Sequence, residues 1–219
     1  MCIDHREGRT GITGRFITFE GIDGSGKSTQ IALLHRHLKG LGLTVTVVRE
    51  PGGTALSEQV RDLLLHHRTL ALNDRAEALL FSAARAQLIH EVIAPALDMG
   101  EVVLCDRYAD STIAYQGYGR ELPLEEIIIT EEFATKHLRP DLKVLLDLAV
   151  DVAASRLLGS YADRMESAGR IFQERVRQGY LKMAREAPGE WFVVNGDQPA
   201  EDIAGEVASY VEKEIIKDS

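Results

Sequence analysis

The sequence predicts an α/β protein with three layers, in which a five-stranded parallel sheet is flanked by helices and accompanied by a short lid. Three observations predict this class. Five short apolar runs of β type alternate with longer stretches of helical periodicity, which is the pattern of βαβ units. The runs are continuously apolar rather than alternating, as expected of strands that are buried on both faces. The first run leads directly into a glycine-rich turn and a helix.

The predicted elements follow from these patterns in chain order. Strands are expected at 16–20, 44–48, 102–105, 144–148 and 191–194. Helical periodicity covers 27–41, 55–67, 73–98, 124–138, 150–158, 169–186 and 199–217. Loops are expected at 51–53, 117–119 and 159–169, where Pro or Gly residues interrupt the patterns. We expect residues 1–14 to form a flexible N-terminal extension and 15–219 a single domain, with the lid at about 156–169.

Composition limits the classes of function. A chain of 219 residues with 45% hydrophobic residues can bury one sizeable core. A formal net charge of −9 argues against broad nucleic-acid binding, because there is no basic excess to displace counterions. No apolar run approaches the length of a membrane span. Cys105 lies in an apolar run far from Cys2, so we expect a buried free thiol and a reducing, cytoplasmic location.

The turn after the first strand carries the strongest motif, since Gly21–Ser28 fits G-x-x-x-x-G-K-[ST]. Glycines let successive N–H groups converge on phosphate oxygens, and the next helix adds its N-terminal N–H groups. The lysine reaches the β- and γ-phosphates, and the serine hydroxyl is suited to Mg²⁺. The motif predicts a P-loop NTPase fold. Its predicted nucleotide-binding residues are Gly21, Ile22, Asp23, Gly24, Ser25, Gly26, Lys27, Ser28 and Thr29.

Acidic residues at the ends of apolar strands are candidates for organising Mg²⁺. Asp106 and Asp147 both lie at the end of an apolar strand. We favour Asp106 because Arg107 follows it and could bind an acceptor phosphate. A structural ion pair is the alternative role for Arg107. A GTPase is disfavoured because the stretch at 195–198, Asn-Gly-Asp-Gln, lacks the lysine of the guanine-binding signature.

Two further stretches carry candidate substrate contacts. Arg49 ends the second strand just before Pro51 and paired glycines, and a plain strand-to-helix turn does not explain an arginine at this edge. Since ligands bind beyond the carboxyl ends of parallel strands, Arg49, Asp106 and the glycine-rich turn should converge. Phe81 and Arg85 are four residues apart and so share a helix face. They suit stacking on a base and donating to its edge, or else a core residue and a solvated flank.

Taken together, FEGIDGSGKSTQ, REPGGT, LLFSAAR, CDRYADSTIAYQGYGR and RPDLKVLLDL, in this order and spacing, closely resemble bacterial thymidylate kinases. The resemblance runs from about residue 15 to the C-terminus. It implies transfer of the γ-phosphoryl group of ATP to dTMP with Mg²⁺, in a cytoplasmic enzyme. It also implies a homodimer, with the helices around 55–97 as the contact. The remaining alternatives are a kinase for another nucleotide or a small metabolite, and a non-catalytic nucleotide switch or scaffold.

The resemblance also implies roles for individual residues. Lys27 and Arg107 would be catalytic, and Ser28 and Asp106 would hold the metal. Asp23 would contact the deoxyribose 3′-hydroxyl. The other implied substrate contacts are Arg49 and Arg107 on the dTMP phosphate, Phe81 stacked on thymine, Arg85 on its O4, Ser111, Thr112 and Gln116 lining the base pocket, and Tyr115 over the sugar.

The lid is the least regular part of the resemblance. In this family, enzymes without an arginine in the phosphate loop supply one from the lid, and this phosphate loop has none. Arg156 and Arg164 are both candidates for the catalytic lid arginine. The alternatives are a plain helix-end role for Arg156, and for either arginine a hinge ion pair with Asp163 or Glu166. The stretch at 195–199 resembles the family's adenine-side loop, whose contacts would be made largely by backbone.

Overall fold

A computed structural model of the protein describes residues 14–66, 71–157 and 168–216. Its centre is one five-stranded sheet in the order β2-β3-β1-β4-β5, and every pair of neighbouring strands is parallel. The strands are β1 (Arg15–Glu20), β2 (Val45–Arg49), β3 (Val102–Asp106), β4 (Leu142–Asp147) and β5 (Trp191–Asn195). The predicted parallel sheet flanked by helices is therefore confirmed.

Nine α-helices lie in the described part of the chain, and several continue into π-helical turns. They are α1 (Lys27–Gly40), α2 (Ala55–Arg61), α3 (Asp74–Leu88), α4 (Ala94–Asp98), α5 (Ala109–Thr112), α6 (Leu124–Thr135), α7 (Val150–Arg156), α8 (Arg170–Glu186) and α9 (Ala200–Val211). The π-helical segments are Asp62–His66, Ile89–Ile93, Ile113–Gly119 and Glu212–Ile216. All seven predicted helical stretches correspond to helices here, with ends that differ by a few residues.

One predicted loop is wrong. Residues 117–119 lie inside the helical segment Ile113–Gly119 rather than in a loop. The glycines there serve packing: a Cβ on Gly117 would lie 2.6 Å from a methyl of Leu124, and one on Gly119 would lie 2.6 Å from the Phe172 ring. Their small size lets this segment pack against α6 and α8, so glycine here does not mark a chain break.

The sheet is covered by apolar side chains on both faces. One cluster joins strands β1, β3 and β4 to α1 and α9, and two others join the sheet to α3, α7, α8 and the segment Ile113–Gly119. Cys105 is a buried free cysteine in β3, as expected. In the described ranges, no helix combines the length and apolarity that a membrane crossing requires.

Two expectations fall largely or partly outside the described residues. Of the expected N-terminal extension, only Gly14 is described, and its N–H donates to Leu97 O at 3.1 Å. Of the expected lid at about 156–169, residues 158–167 lie outside the described ranges.

Candidate active site

The carboxyl ends of the strands border a cleft of about 720 Å³. The phosphate loop forms one part of its wall, and Arg49, Phe81 and Arg107 contribute from three other places in the sequence. The helix α9 and the turn after β5 close the opposite end through Gly196, Gln198, Ala200 and Ile203. The predicted convergence of functional groups at this sheet edge is present in the fold.

The backbone of the phosphate loop Gly21–Ser28 has the form that phosphate binding requires. Gly26 has φ +99°, a left-handed conformation that favours glycine, and a Cβ there would meet no atom within 4 Å. Helix α1 begins at the next residue and has no acidic residue in its first turn. Its N-terminal N–H groups and the positive end of its dipole therefore face open space, and no carboxylate of the helix's first turn competes there with an anion.

Lys27 and Ser28 occupy the positions that the motif predicts. Lys27 is buried, and its Nζ donates to Gly21 O and Ile22 O, both at 3.1 Å. Burial and the neighbouring Arg107 lower the pKa of Lys27. The Ser28 hydroxyl donates to Asp106 Oδ2 at 2.9 Å, which brings together two hard oxygen ligands at the end of the phosphate loop.

Asp147, the other strand-end acid, is engaged elsewhere. Both of its carboxylate oxygens accept hydrogen bonds from Arg177, at 2.7 and 3.0 Å. It is absent from the residues that line the cleft, whereas Asp106 lines it. The geometry therefore favours Asp106 over Asp147 as the metal-organising acid.

Arg107 links the phosphate loop to the opposite wall of the cleft. Its Nη2 donates to Asp23 Oδ1 at 2.5 Å and to the Tyr115 hydroxyl at 3.1 Å, and its Nη1 donates to Gly21 O at 3.0 Å. Its backbone has φ +73°, a left-handed conformation that few non-glycine residues adopt. Burial alone would raise the pKa of Asp23, but Arg107 and Lys27 lower it below its ordinary value. Arg107 thus makes an ion pair and also lines the cleft.

A buried carboxylate, Glu20 at the end of β1, lies behind Arg107. It accepts hydrogen bonds from the Tyr108 N–H at 2.8 Å, the Ser111 hydroxyl at 2.7 Å and the Tyr180 hydroxyl at 3.0 Å. Ser111 and Tyr180 in turn accept from Arg107 Nη1, at 3.3 and 3.4 Å. Burial and the nearby Asp110 raise the pKa of Glu20 to about 7 despite these hydrogen bonds.

Arg49 lies at the rim of the cleft, with half of its side chain exposed. It pairs with Glu58 of α2, with Nη1 3.1 Å from Glu58 Oε1. Arg61 of α2 also lines the cleft and donates to Pro51 O at 2.9 Å. This second cation was not predicted, because an arginine in an exposed helical pattern looks like an ordinary solvated residue.

Phe81 and Arg85 on α3 differ in their access to the cleft. Phe81 is partly buried against the core and lines the cleft. Arg85 is only 1% exposed and is enclosed by partners: Nε donates to Glu50 at 2.6 Å, Nη1 to Thr112 at 2.9 Å and also to Glu131, and Nη2 to Tyr108 O at 3.0 Å. These bonds use four of its five N–H groups. Arg85 is therefore not a solvated flank, and its contact with a base stays a prediction.

The predicted base-pocket residues come together on α5 and the following segment Ile113–Gly119. Ser111, Thr112, Tyr115 and Gln116 all line the cleft. The Tyr115 hydroxyl donates to Asp23 Oδ2 at 3.1 Å, so it lies beside the phosphate loop. Gln116 Nε2 donates to the buried Glu77 of α3 at 3.0 Å.

Of the two lid candidates, Arg156 is described and Arg164 lies outside the described residues. Arg156 ends α7 and lies at the end of the cleft formed by the phosphate loop and the turn after β5. Its Nη1 lies 3.5 Å from Gly24 O in the phosphate loop, and its Nη2 donates to Gly196 O at 3.1 Å. It therefore bridges the phosphate loop and the turn after β5.

Several buried acids around the site were not singled out from the sequence: Glu20, Glu50, Glu77 and Glu131. Each contacts a residue that lines the cleft or the enclosed Arg85. Burial raises the pKa of Glu50 to about 7, and Arg85 partly offsets this. Glu77 and Glu131 lie in helical patterns, where a glutamate indicates a solvated face, so no local signal distinguishes them from surface residues. Glu20 and Glu50 lie at the carboxyl ends of β1 and β2, and that position was the signal that could have found them.

A single cleft that joins a phosphate loop to further arginines and an aromatic side chain suits a phosphotransferase with two phosphate-bearing substrates. With the parallel sheet, it places the protein among the P-loop nucleotide-binding phosphotransferases. The family model described as thymidylate kinase matches residues 19–207. The chain therefore belongs to the thymidylate kinase family.

Individual relatives agree with this. A thymidylate kinase of Thermosipho africanus is 45% identical over 200 residues, covering 91% of this chain and 98% of its own. A thymidylate kinase of Bifidobacterium longum is 46% identical over 205 residues, covering 92% and 99%. Among solved structures, the crystal structure of thymidylate kinase from Ehrlichia chaffeensis has a TM-score of 0.73 and 35% identity, covering 91% of this chain and 99% of that one.

Proposed function

We propose that this protein transfers the γ-phosphoryl group of ATP to dTMP, producing dTDP and ADP. The observation that carries the proposal is the contact between Arg107 and Asp23, since it joins the phosphate loop to the wall that bears Phe81 and Gln116 in one cleft. ATP phosphates bind over the phosphate loop, where Lys27 and the N-terminus of α1 supply positive charge. Arg107 and Arg49 hold the phosphate of dTMP, and Phe81 stacks on thymine.

The remaining contacts of dTMP follow from the same arrangement. Asp23 accepts a hydrogen bond from the 3′-hydroxyl of the deoxyribose, and the Tyr115 ring packs over the sugar. Ser111, Thr112 and Gln116 line the base pocket, and Arg85 donates its remaining N–H to thymine O4. Cytosine has an amino group at this position and would leave that buried donor unpaired, which costs about 1–3 kcal/mol.

Phosphoryl transfer requires alignment and charge more than covalent help. The acceptor is already a phosphate anion, so this chain needs no strong general base. Ser28 and Asp106 offer the hard oxygen ligands that Mg²⁺ prefers, 2.9 Å apart beside the phosphate loop, and these two residues would hold the ion. When bound, Mg²⁺ neutralises charge on the β- and γ-phosphates. Arg156 or Arg164 adds the charge that this arginine-free phosphate loop does not provide.

A coupled assay for ADP, with ATP and Mg²⁺ against dTMP, dUMP, dCMP, AMP and GMP, tests the proposal. We expect dTMP to give the highest kcat/KM and chelation of divalent metal to abolish turnover. Preference for another acceptor would overturn the substrate assignment and favour a kinase for that nucleotide. If none of the acceptors reacts, the role of the protein as a catalyst is wrong, and a nucleotide switch becomes the better account.

We further propose that the protein is a cytoplasmic homodimer. The buried thiol of Cys105 suits a reducing compartment. Helix α2 with its π-helical continuation, α3 and α6 expose large apolar side chains that a second copy would cover: Leu56, Leu63, Leu79, Ile129 and Phe133, the last being 86% exposed. Sedimentation velocity should give twice the chain mass of 24.2 kDa, and Phe133→Asp should shift the protein towards the monomer. A wild-type protein that sediments as a monomer at micromolar concentration contradicts the dimer.

A further inference from the structure

A carboxylate lies beneath the base pocket without contacting the cleft. Glu77 of α3 is fully buried and is absent from the residues that line the cleft. Its Oε1 accepts from Gln116 Nε2 at 3.0 Å and from Arg120 Nε at 3.3 Å, and its Oε2 accepts from Arg120 Nη2 at 3.4 Å. Glu77, Phe81 and Arg85 follow one another at intervals of four residues on α3 and so lie along one side of the helix, on which Phe81 lines the cleft.

This contact decides which way the Gln116 side chain is oriented. An amide side chain can donate through its nitrogen or accept through its oxygen. Arg120 can only donate, and it contacts both oxygens of Glu77, so both oxygens act as acceptors and Gln116 must turn Nε2 towards Glu77. Gln116 Oε1 is then directed away from Glu77, and no donor in the described ranges reaches it. Because Gln116 lines the cleft, this oxygen is the group that it offers to a ligand.

We propose that Glu77 is a positioning residue that selects 4-keto pyrimidines by fixing the Gln116 amide with its oxygen towards the base. This inference rests on the proposed function, because it takes dTMP as the acceptor. Thymine and uracil carry a hydrogen at N3 and donate it to an amide oxygen. Cytosine has a lone pair at N3, which would face the lone pairs of that oxygen. The fixed orientation therefore accepts one class of base and repels the other.

The surroundings of Glu77 supply a matched control. Arg120 bridges two acids, since its Nε lies 3.3 Å from Glu77 Oε1 and 3.4 Å from Asp74 Oδ1. Asp74 is about half exposed. Asp74→Asn therefore removes one acidic partner of Arg120 and leaves the bond between Glu77 and Gln116 in place.

The test compares kcat/KM for dTMP, dUMP and dCMP in the wild-type enzyme, Glu77→Gln and Asp74→Asn. A glutamine at position 77 can donate as well as accept, so the Gln116 amide is free to turn and offer its N–H to cytosine N3. We expect the ratio of dTMP to dCMP to fall about 10-fold in Glu77→Gln and to stay within two-fold in Asp74→Asn. The ratio of dTMP to dUMP should not change, since both bases carry the N3 hydrogen. General loosening of the pocket would alter both ratios.

A double-variant cycle shows whether the effect acts through Gln116. In a Gln116→Leu background, Glu77→Gln should no longer change the ratio of dTMP to dCMP. If Glu77→Gln does not fold, Glu77→Asp, which keeps the charge and withdraws the carboxylate, should lower the same ratio several-fold. A wild-type enzyme that prefers dTMP, combined with an unchanged ratio in the position-77 variant, overturns the role of Glu77 and leaves the proposed function intact. A wild-type enzyme without that preference overturns the proposed function itself.

Discussion

The two ends of the cleft are built in different ways. The donor end, where the proposed function places ATP, is the phosphate loop, a continuous stretch of eight residues that presents mainly its backbone and the N-terminus of α1. The acceptor end takes its side chains from β2, α3, α5 with its π-helical continuation, and the turn after β3. A local stretch needs only its own conformation to form. An assembled wall forms only when distant elements pack correctly.

The donor and acceptor ends of the cleft also differ in how their buried charges are stabilised. At the acceptor end, buried charges satisfy one another: Arg85 bridges Glu50 and Glu131, and Glu77 holds Arg120. At the donor end, Lys27 is stabilised by two backbone carbonyls. A buried ion pair costs much when one partner is lost, whereas a carbonyl that loses its donor costs less. We therefore expect substitutions at the acceptor end to affect both stability and recognition, and substitutions at the donor end to affect turnover alone.

The largest expected effect is at Arg107, the residue that connects the two ends of the cleft. Arg107→Lys keeps the charge but loses the planar fork that contacts Asp23 and Gly21 O and that, in the proposed function, holds the acceptor phosphate. We expect kcat/KM for dTMP to fall about 10³–10⁴-fold, because the arginine also stabilises charge in the transition state. Steady-state kinetics with varied dTMP measures this.

Arg177→Lys is the matched control for Arg107→Lys. Arg177 makes a comparable two-point contact with Asp147 and does not line the cleft. It should change kcat/KM by less than about five-fold. If both lysine variants lose activity equally, the effect of Arg107 is structural and the two ends of the cleft are not joined through it.

The sequence predicted the donor end well because its information is local. The spacing alone gave the positions of the glycines, Lys27 and Ser28, and the phosphate loop lies in the expected strand–loop–helix setting. The five strands were equally predictable, since continuous apolar runs between helices admit few other folds. The error at residues 117–119 arose because glycine signals both a chain break and a close contact, and only packing distinguishes the two.

The acceptor end was predictable only in part. Arg49 and Arg107 follow strands, so topology brings them to one edge. The enclosure of Arg85 by Glu50 and Glu131 involves residues 35 and 46 positions away. No periodicity or composition specifies such pairs, because they depend on which helix faces which strand.

Arg85 provides the test of stability at the acceptor end. Arg85→Ala leaves two buried carboxylates without their shared partner, and we expect the free energy of unfolding to fall by about 3–5 kcal/mol. Urea unfolding followed by circular dichroism measures it. Arg75→Ala, which breaks an exposed pair with Glu126, should cost less than about 1 kcal/mol. Similar losses in the two variants would mean that the buried network does not contribute to stability.

At the donor end, we expect a substitution of Lys27 to lower turnover with little effect on stability. Lys27→Met fills a similar volume and removes the charge that, in the proposed function, reaches the phosphates of ATP. We expect kcat to fall about 10²–10³-fold. The free energy of unfolding should change by less than about 1 kcal/mol, because the bonds of Lys27 Nζ are to backbone carbonyls. Its lost attraction to nearby acids is offset by relief of its burial and of the repulsion from Arg107, which together lower its pKa. A large loss of stability in Lys27→Met would remove the contrast between the two ends.

The smallest expected effect concerns pH. Burial and Asp110 raise the pKa of Glu20 from 4.5 to about 7. Between these values the folded protein holds a proton on Glu20 that the unfolded chain has released, so the contribution of Glu20 to stability is present at low pH and is lost as pH rises through 7. The free energy of unfolding should fall by on the order of 3 kcal/mol from this group between pH 4.5 and 8. Glu50, whose pKa is also about 7, adds a similar slope.

Glu20→Gln isolates its share. From pH 4.5 to 8 the free energy of unfolding of this variant should fall less than that of the wild type, and the difference is the contribution of Glu20. The pH dependence that remains in the variant comes from Glu50. Asp151→Asn is the control of opposite sign, since a hydrogen bond from Arg170 lowers the pKa of this fully exposed acid. The contribution of Asp151 is lost only as pH falls below about 4. Parallel curves for Glu20→Gln and the wild type across this range would mean that Glu20 is ionised throughout, held by Arg107, Ser111 and Tyr180 more strongly than burial opposes it.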